Sequence, residues 1–226
     1  MPKNNMYDWI TGTWNPLAGE CPHKCVYCST KSIPWKSVRE KYSGELRLDE
    51  KTMTKNLGHG KAWFVCAQND LFADLVPDTF IDQIFHRCFL YSENQYVFQT
   101  KNPGRYLRLM SQGFCFPKGI LGCTIESTSL MRDIATAPDT YDRVVAMKQL
   151  RYRKFITIEP IINNFDVKVF AGWIKQINPE FVNIGADSKK HNLPEPSADK
   201  IKALIAEIQN AGIEIREKHN LERLLK

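Results

Sequence analysis

The chain has 226 residues, of which 43% are hydrophobic, enough for the core of one domain of ordinary size. Its 31 basic and 25 acidic residues give a net charge of +6, which permits attraction to nucleic acid, to an acidic electron-transfer partner or to phosphorylated substrates and chooses among none of them. No apolar run approaches the ~20 residues of a membrane span, and the polar start is unlike a secretory signal, so we expect a cytoplasmic protein.

Strand-like and helix-like patterns alternate along the chain. The first strand is predicted near Ile10–Trp14. The later ones are Trp63–Ala67, Tyr96–Thr100, Ile120–Ile125, Phe155–Ile158 and Phe181–Ile184, with a weaker seventh candidate at Ile213–Glu217. The helices predicted between them are Pro77–Tyr91, Asn102–Met110, Tyr141–Leu150, Val167–Ile177 and Ser197–Ala211. This alternation predicts βαβ units and an α/β fold built on a parallel barrel.

The domain organisation follows from the absence of an obvious linker. We expect residues 1–226 to form a single domain. The stretch 30–60 is the least regular and most basic part, and it is interpreted as an insertion or a lid.

Polar residues recur at alternating positions where the predicted strands end. In a parallel barrel these ends meet at one mouth, where working residues gather. The pairs are Gln68 and Asp70, Thr124 and Glu126, Thr157 and Glu159, and Asn183 and Asp187. Strand ends are often polar merely because they are exposed, but four pairs in succession favour a polar site.

A loop after the first predicted strand holds three cysteines in the pattern C-x₃-C-x₂-C, namely Cys21, Cys25 and Cys28. Three thiolates on one loop can hold three corners of an iron–sulfur cube and leave the fourth iron to an outside chelator. The alternative is a zinc site completed by His23 or His59, although no second pair of ligands follows. The other four cysteines are predicted to pack as small buried hydrophobes: Cys66, Cys88, Cys115 and Cys123.

With Tyr27 before its last cysteine, this loop resembles that of the radical S-adenosylmethionine (radical SAM) superfamily. Further blocks resemble a phage- and bacteria-associated family of radical-SAM-like proteins of unassigned function. They are Thr13–Pro16, Phe64–Pro77, Phe98–Pro103, Leu121–Glu126 and Phe155–Pro160. The Cys-Pro-His-Lys-Cys segment is similar, more weakly, to the spore photoproduct lyase branch. The resemblance implies a partial (β/α)6-type parallel barrel.

The resemblance also implies a chemistry. Cys21, Cys25 and Cys28 would ligate a [4Fe–4S] cluster that holds S-adenosylmethionine (SAM). Reduction by a donor such as a flavodoxin or ferredoxin would cleave SAM to a 5′-deoxyadenosyl radical, which abstracts hydrogen from a substrate.

Cofactor contacts are implied position by position. The Tyr27 backbone would lie near the adenine, and Gln68, Asn69 and Asp70 stand where the superfamily often has a Gly-Gly-Glu stretch for the methionine amine. The glycines are missing here, and an aspartate replaces the glutamate. The resemblance further implies ribose contacts for Thr124 and Glu126, a methionine carboxylate contact for Lys101, and cofactor or substrate contacts for Glu159.

Cys66 shares strand parity with Gln68 and Asp70, which predicts that it faces the barrel interior. A thiol there could return hydrogen to a product radical. The alternative is an ordinary core cysteine. Cys123 has the opposite parity to Thr124 and Glu126, which predicts packing.

Basic and aromatic residues interleave after the cysteine loop: Lys31, Trp35, Lys36, Arg39, Lys41, Tyr42 and Arg47. Cations meet phosphates and aromatic faces stack on bases, so we hypothesise a nucleotide or nucleic-acid base as substrate. A solvated basic face is the alternative. Two other functions also remain open at this point, a non-catalytic iron–sulfur or zinc protein that binds nucleic acid and an electron-transfer accessory.

Overall fold

The computed structural model describes residues 7–129, 133–189 and 191–226. Its strands are β1 (Gly12–Trp14), β2 (Leu17–Ala18), β3 (Arg47–Leu48), β4 (Ala62–Val65), β5 (Gln95–Thr100), β6 (Gly119–Thr124), β7 (Lys154–Ile158), β8 (Phe181–Ile184) and β9 (Glu214–Glu217). Its α-helices are α1 (Lys36–Lys41), α2 (Glu50–Met53), α3 (Asp78–Leu90), α4 (Gly104–Ser111), α5 (Thr140–Gln149), α6 (Val167–Ile177), α7 (Ala198–Asn210) and α8 (Glu222–Leu225).

Seven strands form one parallel sheet in the order β1-β4-β5-β6-β7-β8-β9, so strands that follow one another along the chain lie side by side. From β4 onward a helix stands between each strand and the next. This arrangement confirms the predicted α/β fold of the partial parallel-barrel kind. Strand β9 confirms the weaker seventh candidate.

The long helices pack an apolar stripe against one face of the sheet. In α3, Ile81, Ile84, Phe85 and Cys88 are buried at helical spacing, and Pro77 caps the helix start as its fixed φ favours. Helix α7 repeats the pattern, with buried residues at Ile201, Leu204, Ile205 and Ile208. These stripes join the strand residues of the same face in the main core.

The other face of the sheet is apolar at the amino ends of the strands. A second core cluster contains Phe64, Val97, Ile120, Phe155 and Phe181, one residue from each of five neighbouring strands. Tyr7 joins this cluster from the segment before β1. Residues two and four positions further along the same strands share this face. The face is therefore closed by an apolar layer at one end and carries polar side chains at the other.

Gly122 on β6 leaves space for the Phe155 ring in the apolar layer. A Cβ at this position would lie 2.2 Å from the Phe155 ring, so only glycine leaves room for that ring on the inner face.

Several predicted boundaries differ from the structure. Strand β4 ends at Val65, because Cys66 adopts a left-handed conformation with φ 57° and begins a turn. The parity used for Cys66 therefore does not apply, since the strand does not reach it. Cys115 is exposed, against the expectation of burial, whereas Cys66, Cys88 and Cys123 are buried.

The segment 30–60 contributes no strand to the main sheet. It contains α1, α2 and β3, and β3 pairs antiparallel with β2. Its role as a lid stays a prediction. Among the described residues, no helix is long and apolar enough to cross a bilayer.

Candidate functional site

A cavity of about 640 Å³ opens where the parallel strands end, within the range typical of small-molecule sites. The cysteine loop forms one side, and the loops after β8 and β9 form another. The predicted site residues that line it are Cys21, Cys25, Tyr27, Cys28, Cys66, Gln68, Asn69, Asp70, Lys101, Thr124 and Glu159. Glu126 is the one residue of the predicted cofactor set outside this lining, and Asn183 of the polar strand-end pairs lies outside it too.

The cysteine loop is a compact series of turns. The Cys28 amide donates to the Cys25 carbonyl at 3.2 Å, and Lys24 takes a left-handed φ of 48° that lets the chain reverse between the first two cysteines. The Val26 amide donates to the carbonyl of Ile134 at 2.9 Å, which ties the loop to the segment after β6. All three thiols are free and line the cavity.

The donor set suits an iron–sulfur cube in kind, because three thiols of one loop face one space. Among the described residues, no three His, Cys, Asp or Glu side chains are close enough to one another to hold a single metal ion. A cube binds each thiolate at a different iron. Burial raises the pKa of the Cys21 thiol to about 12, helped by the charge of Asp70, and burial also raises the pKa of Cys25.

Asp70, in the turn after β4, anchors the cysteine loop. Its carboxylate lies 2.9 Å from Nε2 of His23, in the middle of the cysteine loop. It also accepts hydrogen bonds from the Thr100 hydroxyl at 2.7 Å and from the Lys101 amide at 2.8 Å. Although burial opposes it, these contacts lower the pKa of Asp70 to about 2. The carboxylate is thus occupied by the protein's own donors.

The neighbouring amides are also engaged. The Asn69 side chain donates to the Gly19 carbonyl at 2.9 Å, and the side-chain oxygen Oε1 of Gln68 accepts from the Thr30 hydroxyl at 2.8 Å. Both contacts fasten the segment 19–30 to the end of β4. The stretch 68–70 therefore supports the cysteine loop as well as facing the cavity.

A second anchor is a buried chain of polar contacts. The Tyr27 hydroxyl donates to Oε1 of Glu126, and Nη1 of Arg143 donates to Oε2 of Glu126 at 2.8 Å. The Arg143 and Glu126 side chains are 0% and 1% exposed. Both carboxylate oxygens are taken, and Glu126 does not line the cavity. Glu126 therefore links the cysteine loop to α5, and its ribose contact stays a prediction.

Lys101 lies over the Tyr27 ring, its Nζ 5.2 Å from the ring centre. Burial alone would lower the pKa of Lys101, but Cys25 and Glu126 raise it overall. A lasting positive charge therefore faces the cavity beside the cysteine loop.

Cys66 lines the cavity despite the failed parity argument, because the turn after β4 directs it there. Its amide donates to the Trp14 carbonyl at 2.8 Å, which holds the turn against β1. Burial raises the pKa of its thiol to about 12, so the S–H bond stays intact near neutral pH.

Other cavity residues were missed by the sequence reasoning. Tyr7 reaches the cavity from the segment before β1, and its hydroxyl lies 2.7 Å from Oγ1 of Thr157. Gln99 bridges this group to Thr124 through a 2.9 Å hydrogen bond. The loops after β8 and β9 add His191 and Lys218 among others. No short motif marks these residues. The inward parity of Gln99 on β5 was the one signal that could have found any of them.

Comparison with known proteins identifies a family. Residues 4–214 match the family model described as "Protein of unknown function (DUF5131)". The chain belongs to this family. No curated protein matches the DUF5131 chain.

Solved structures of spore photoproduct lyase share the fold. A cysteine-to-serine variant matches with a TM-score of 0.62 at 10% identity, over 96% of this chain and 80% of that one. A tyrosine-to-phenylalanine variant gives 0.60 at 10%, over 88% and 74%. A double variant with bound AdoMet and dinucleoside spore photoproduct gives 0.52 at 10%, over 92% and 65%. At such identities the likeness establishes the fold of this DUF5131 member.

Proposed function

We propose that this protein is a radical SAM enzyme. One observation carries the proposal: Cys21, Cys25 and Cys28 face the same cavity as polar side chains from the ends of neighbouring parallel strands. Catalytic groups of parallel barrels gather at that end. The shared fold with a lyase solved with AdoMet bound supports the same reading.

The three cysteines would hold a [4Fe–4S] cluster at the cavity mouth. When bound, the reduced cluster supplies the electron that cleaves SAM to a 5′-deoxyadenosyl radical. An electron donor such as a flavodoxin or ferredoxin is the partner this requires.

The protein's own side chains would orient SAM. Lys101 presents a buried positive charge beside the loop and would attract the methionine carboxylate. The Thr124 hydroxyl, held by Gln99, would meet the ribose. Asp70 is engaged with His23 and the β5 end, so we propose that it positions the loop and that the methionine amine is met by other cavity groups.

Shielding is supplied by the apolar layer beneath the cavity. Phe64 lines the floor, and Tyr7 seals the amino-end side. Such a floor keeps water from a reactive species. Cys66 would give the hydrogen atom of its S–H bond to the product radical, because its buried thiol keeps its proton, and the thiyl radical left behind would regain an electron from the electron donor and a proton from solvent. A Cys66→Ala variant should still cleave SAM but fail to complete turnover; normal turnover with the true substrate would remove this role.

The substrate we propose is a nucleotide or a nucleic-acid base. The short helical turn Ser29–Ser32 places Ser29 and Thr30 in the cavity wall, directly before the basic and aromatic stretch. Trp35 in that stretch is 67% exposed, and Lys36 and Arg39 are exposed beside it. Charge reversal at Lys36 and Arg39 should weaken binding of single-stranded DNA or RNA about tenfold at low salt. Unchanged binding, or none by the parent, would refute it.

The deciding experiment is anaerobic. The protein is reconstituted with iron and sulfide, reduced and given SAM, beside a Cys21→Ala, Cys25→Ala, Cys28→Ala triple variant. Formation of 5′-deoxyadenosine by the parent and none by the variant is expected. A colourless protein that retains zinc, or a well-formed cluster with no SAM cleavage in the presence of candidate nucleotides, would count against the proposal.

A further inference from the structure

The loops after β8 and β9 form a second polar side of the cavity. They lie near the end of the chain, whereas the cysteine loop lies near its start. We name this side the C-terminal wall and define it by Asp187, Lys189, His191, Lys218, His219 and Asn220, all of which line the cavity. Asn220 joins its two loops, because its side-chain amide donates to the Ala186 carbonyl at 2.6 Å and to the Ser188 hydroxyl at 2.8 Å.

Asp187 holds His191 in a defined orientation. Its Oδ1 lies 2.7 Å from Nδ1 of His191 and accepts from the Lys189 amide at 3.0 Å, while Oδ2 accepts from the His191 amide. The Asp187 side chain is 4% exposed and that of His191 is 19% exposed. A carboxylate on Nδ1 orients the ring and leaves Nε2 for a ligand. Among the described residues, Nε2 of His191 has no hydrogen-bond partner.

The second carboxylate of this side is also engaged. Glu159 contacts Nζ of Lys218 at 2.6 Å and accepts from the Asn220 amide at 2.9 Å. His219 repeats the histidine pattern, since its Nδ1 lies 3.1 Å from Glu222. The acidic oxygens are thus occupied by the protein's own donors, and the groups left for a ligand are cationic or become so on protonation.

We propose that the C-terminal wall binds the phosphate group of a nucleotide. Lys189, His191 and His219 would be its ligands, the lysine as a point charge and each protonated ring through Nε2–H. A phosphate has enough terminal oxygens to meet all three donors. The phosphate site adds detail to the proposed function. It depends on that function only for the statement that the bound nucleotide is the substrate.

Binding of a matched pair of ligands tests the wall directly. Isothermal titration calorimetry compares a nucleoside 5′-monophosphate with its parent nucleoside on the protein without cluster or SAM. We expect the monophosphate to bind at least about tenfold more tightly, the effect of one good charge-assisted hydrogen bond. Equal affinity for the two ligands would overturn the proposal.

Variants locate the effect. Lys189→Ala and His219→Gln alter exposed side chains, so the fold should survive. The double variant should lose most of the tighter binding of the monophosphate and keep its affinity for the nucleoside. The single variant His191→Asn should weaken monophosphate binding and leave nucleoside binding unchanged. The matched controls are Lys175→Ala on the outside of α6 and His59→Gln before β4, both exposed. A preference retained in the double variant, or lost equally in the controls, would contradict a phosphate site here.

Two further arms separate the related questions. A dinucleotide with only an internal phosphodiester distinguishes a polynucleotide phosphate from a terminal one, and either preference supports the site. The triple cysteine variant should keep the monophosphate preference. Failure of the radical SAM reaction would therefore leave this result intact, whereas failure of the phosphate preference would leave SAM cleavage intact.

Discussion

The two sides of the cavity are built in different ways. On the cysteine side the polar contacts are buried and closed: His23 pairs with Asp70, and Glu126 is shared by Tyr27 and Arg143. On the C-terminal wall the carboxylates and Lys218 are engaged, but Lys189 and His219 remain exposed. The cysteine loop is therefore fastened by buried charges, whereas the C-terminal wall keeps donors exposed to solvent.

The comparison predicts that the cysteine side contributes more to stability than the C-terminal wall. Arg143→Ala should have the largest effect, because it leaves the Glu126 carboxylate buried without its cation. We expect a loss of about 3–5 kcal/mol in the free energy of unfolding, measured with urea. Arg153→Ala breaks an exposed pair with Glu180 and should cost less than about 1 kcal/mol. Equal losses of unfolding free energy in Arg143→Ala and Arg153→Ala would show that the buried pair contributes no more to stability than the exposed one.

Tyr27→Phe should have the next largest effect. It removes the hydroxyl that donates to Glu126 and leaves a buried acceptor short of a partner, at a cost of about 1–3 kcal/mol. Because the tyrosine lies between Cys25 and Cys28, thiol alkylation in the cluster-free protein should also become faster. The control is Tyr141→Phe, whose ring is 60% exposed. If alkylation rates match those of the parent, Tyr27 does not hold the loop.

Asp187→Asn tests the one buried anchor of the C-terminal wall. Burial would raise the pKa of Asp187, but hydrogen bonds from His191 and Lys189 lower it overall. A lowered pKa means that the charged form stabilises the fold above the ordinary aspartate pKa of about 4, and that this contribution is lost as the pH falls through the folded-state pKa. The variant should therefore be less stable than the parent near pH 7 by about 1–2 kcal/mol.

The difference in the free energy of unfolding between Asp187→Asn and the parent, measured in urea titrations, should become smaller as the pH is lowered toward 3. A difference in unfolding free energy that stays constant with pH would show that the carboxylate charge contributes nothing to stability.

Lys189→Ala should have the smallest effect on stability, below about 0.5 kcal/mol, because the side chain is exposed. A larger loss would mean that the wall is a structural element.

Much of the fold could be read from periodicity. The strand Phe181–Ile184 and the helix Val167–Ile177 have the predicted bounds, and the other long elements shift by at most two residues at either end. Such ends depend on local turns that the alternation of apolar residues does not encode. At Cys66 the chain leaves the strand through a left-handed residue, so a parity argument that extended past Val65 failed while its conclusion about the cavity held.

The sequence by itself determined the parallel α/β fold and the candidate thiol ligands, because both depend on short-range patterns: one on apolar spacing and the other on three cysteines within one loop. Only the tertiary structure decided which polar residues face the cavity. Glu126 and Thr124 are two positions apart on the chain, yet Arg143 and Tyr27 draw Glu126 out of the cavity wall. The C-terminal wall joins residues from 187 to 220, and their meeting depends on the pairing of β8 with β9, a contact that no local pattern encodes.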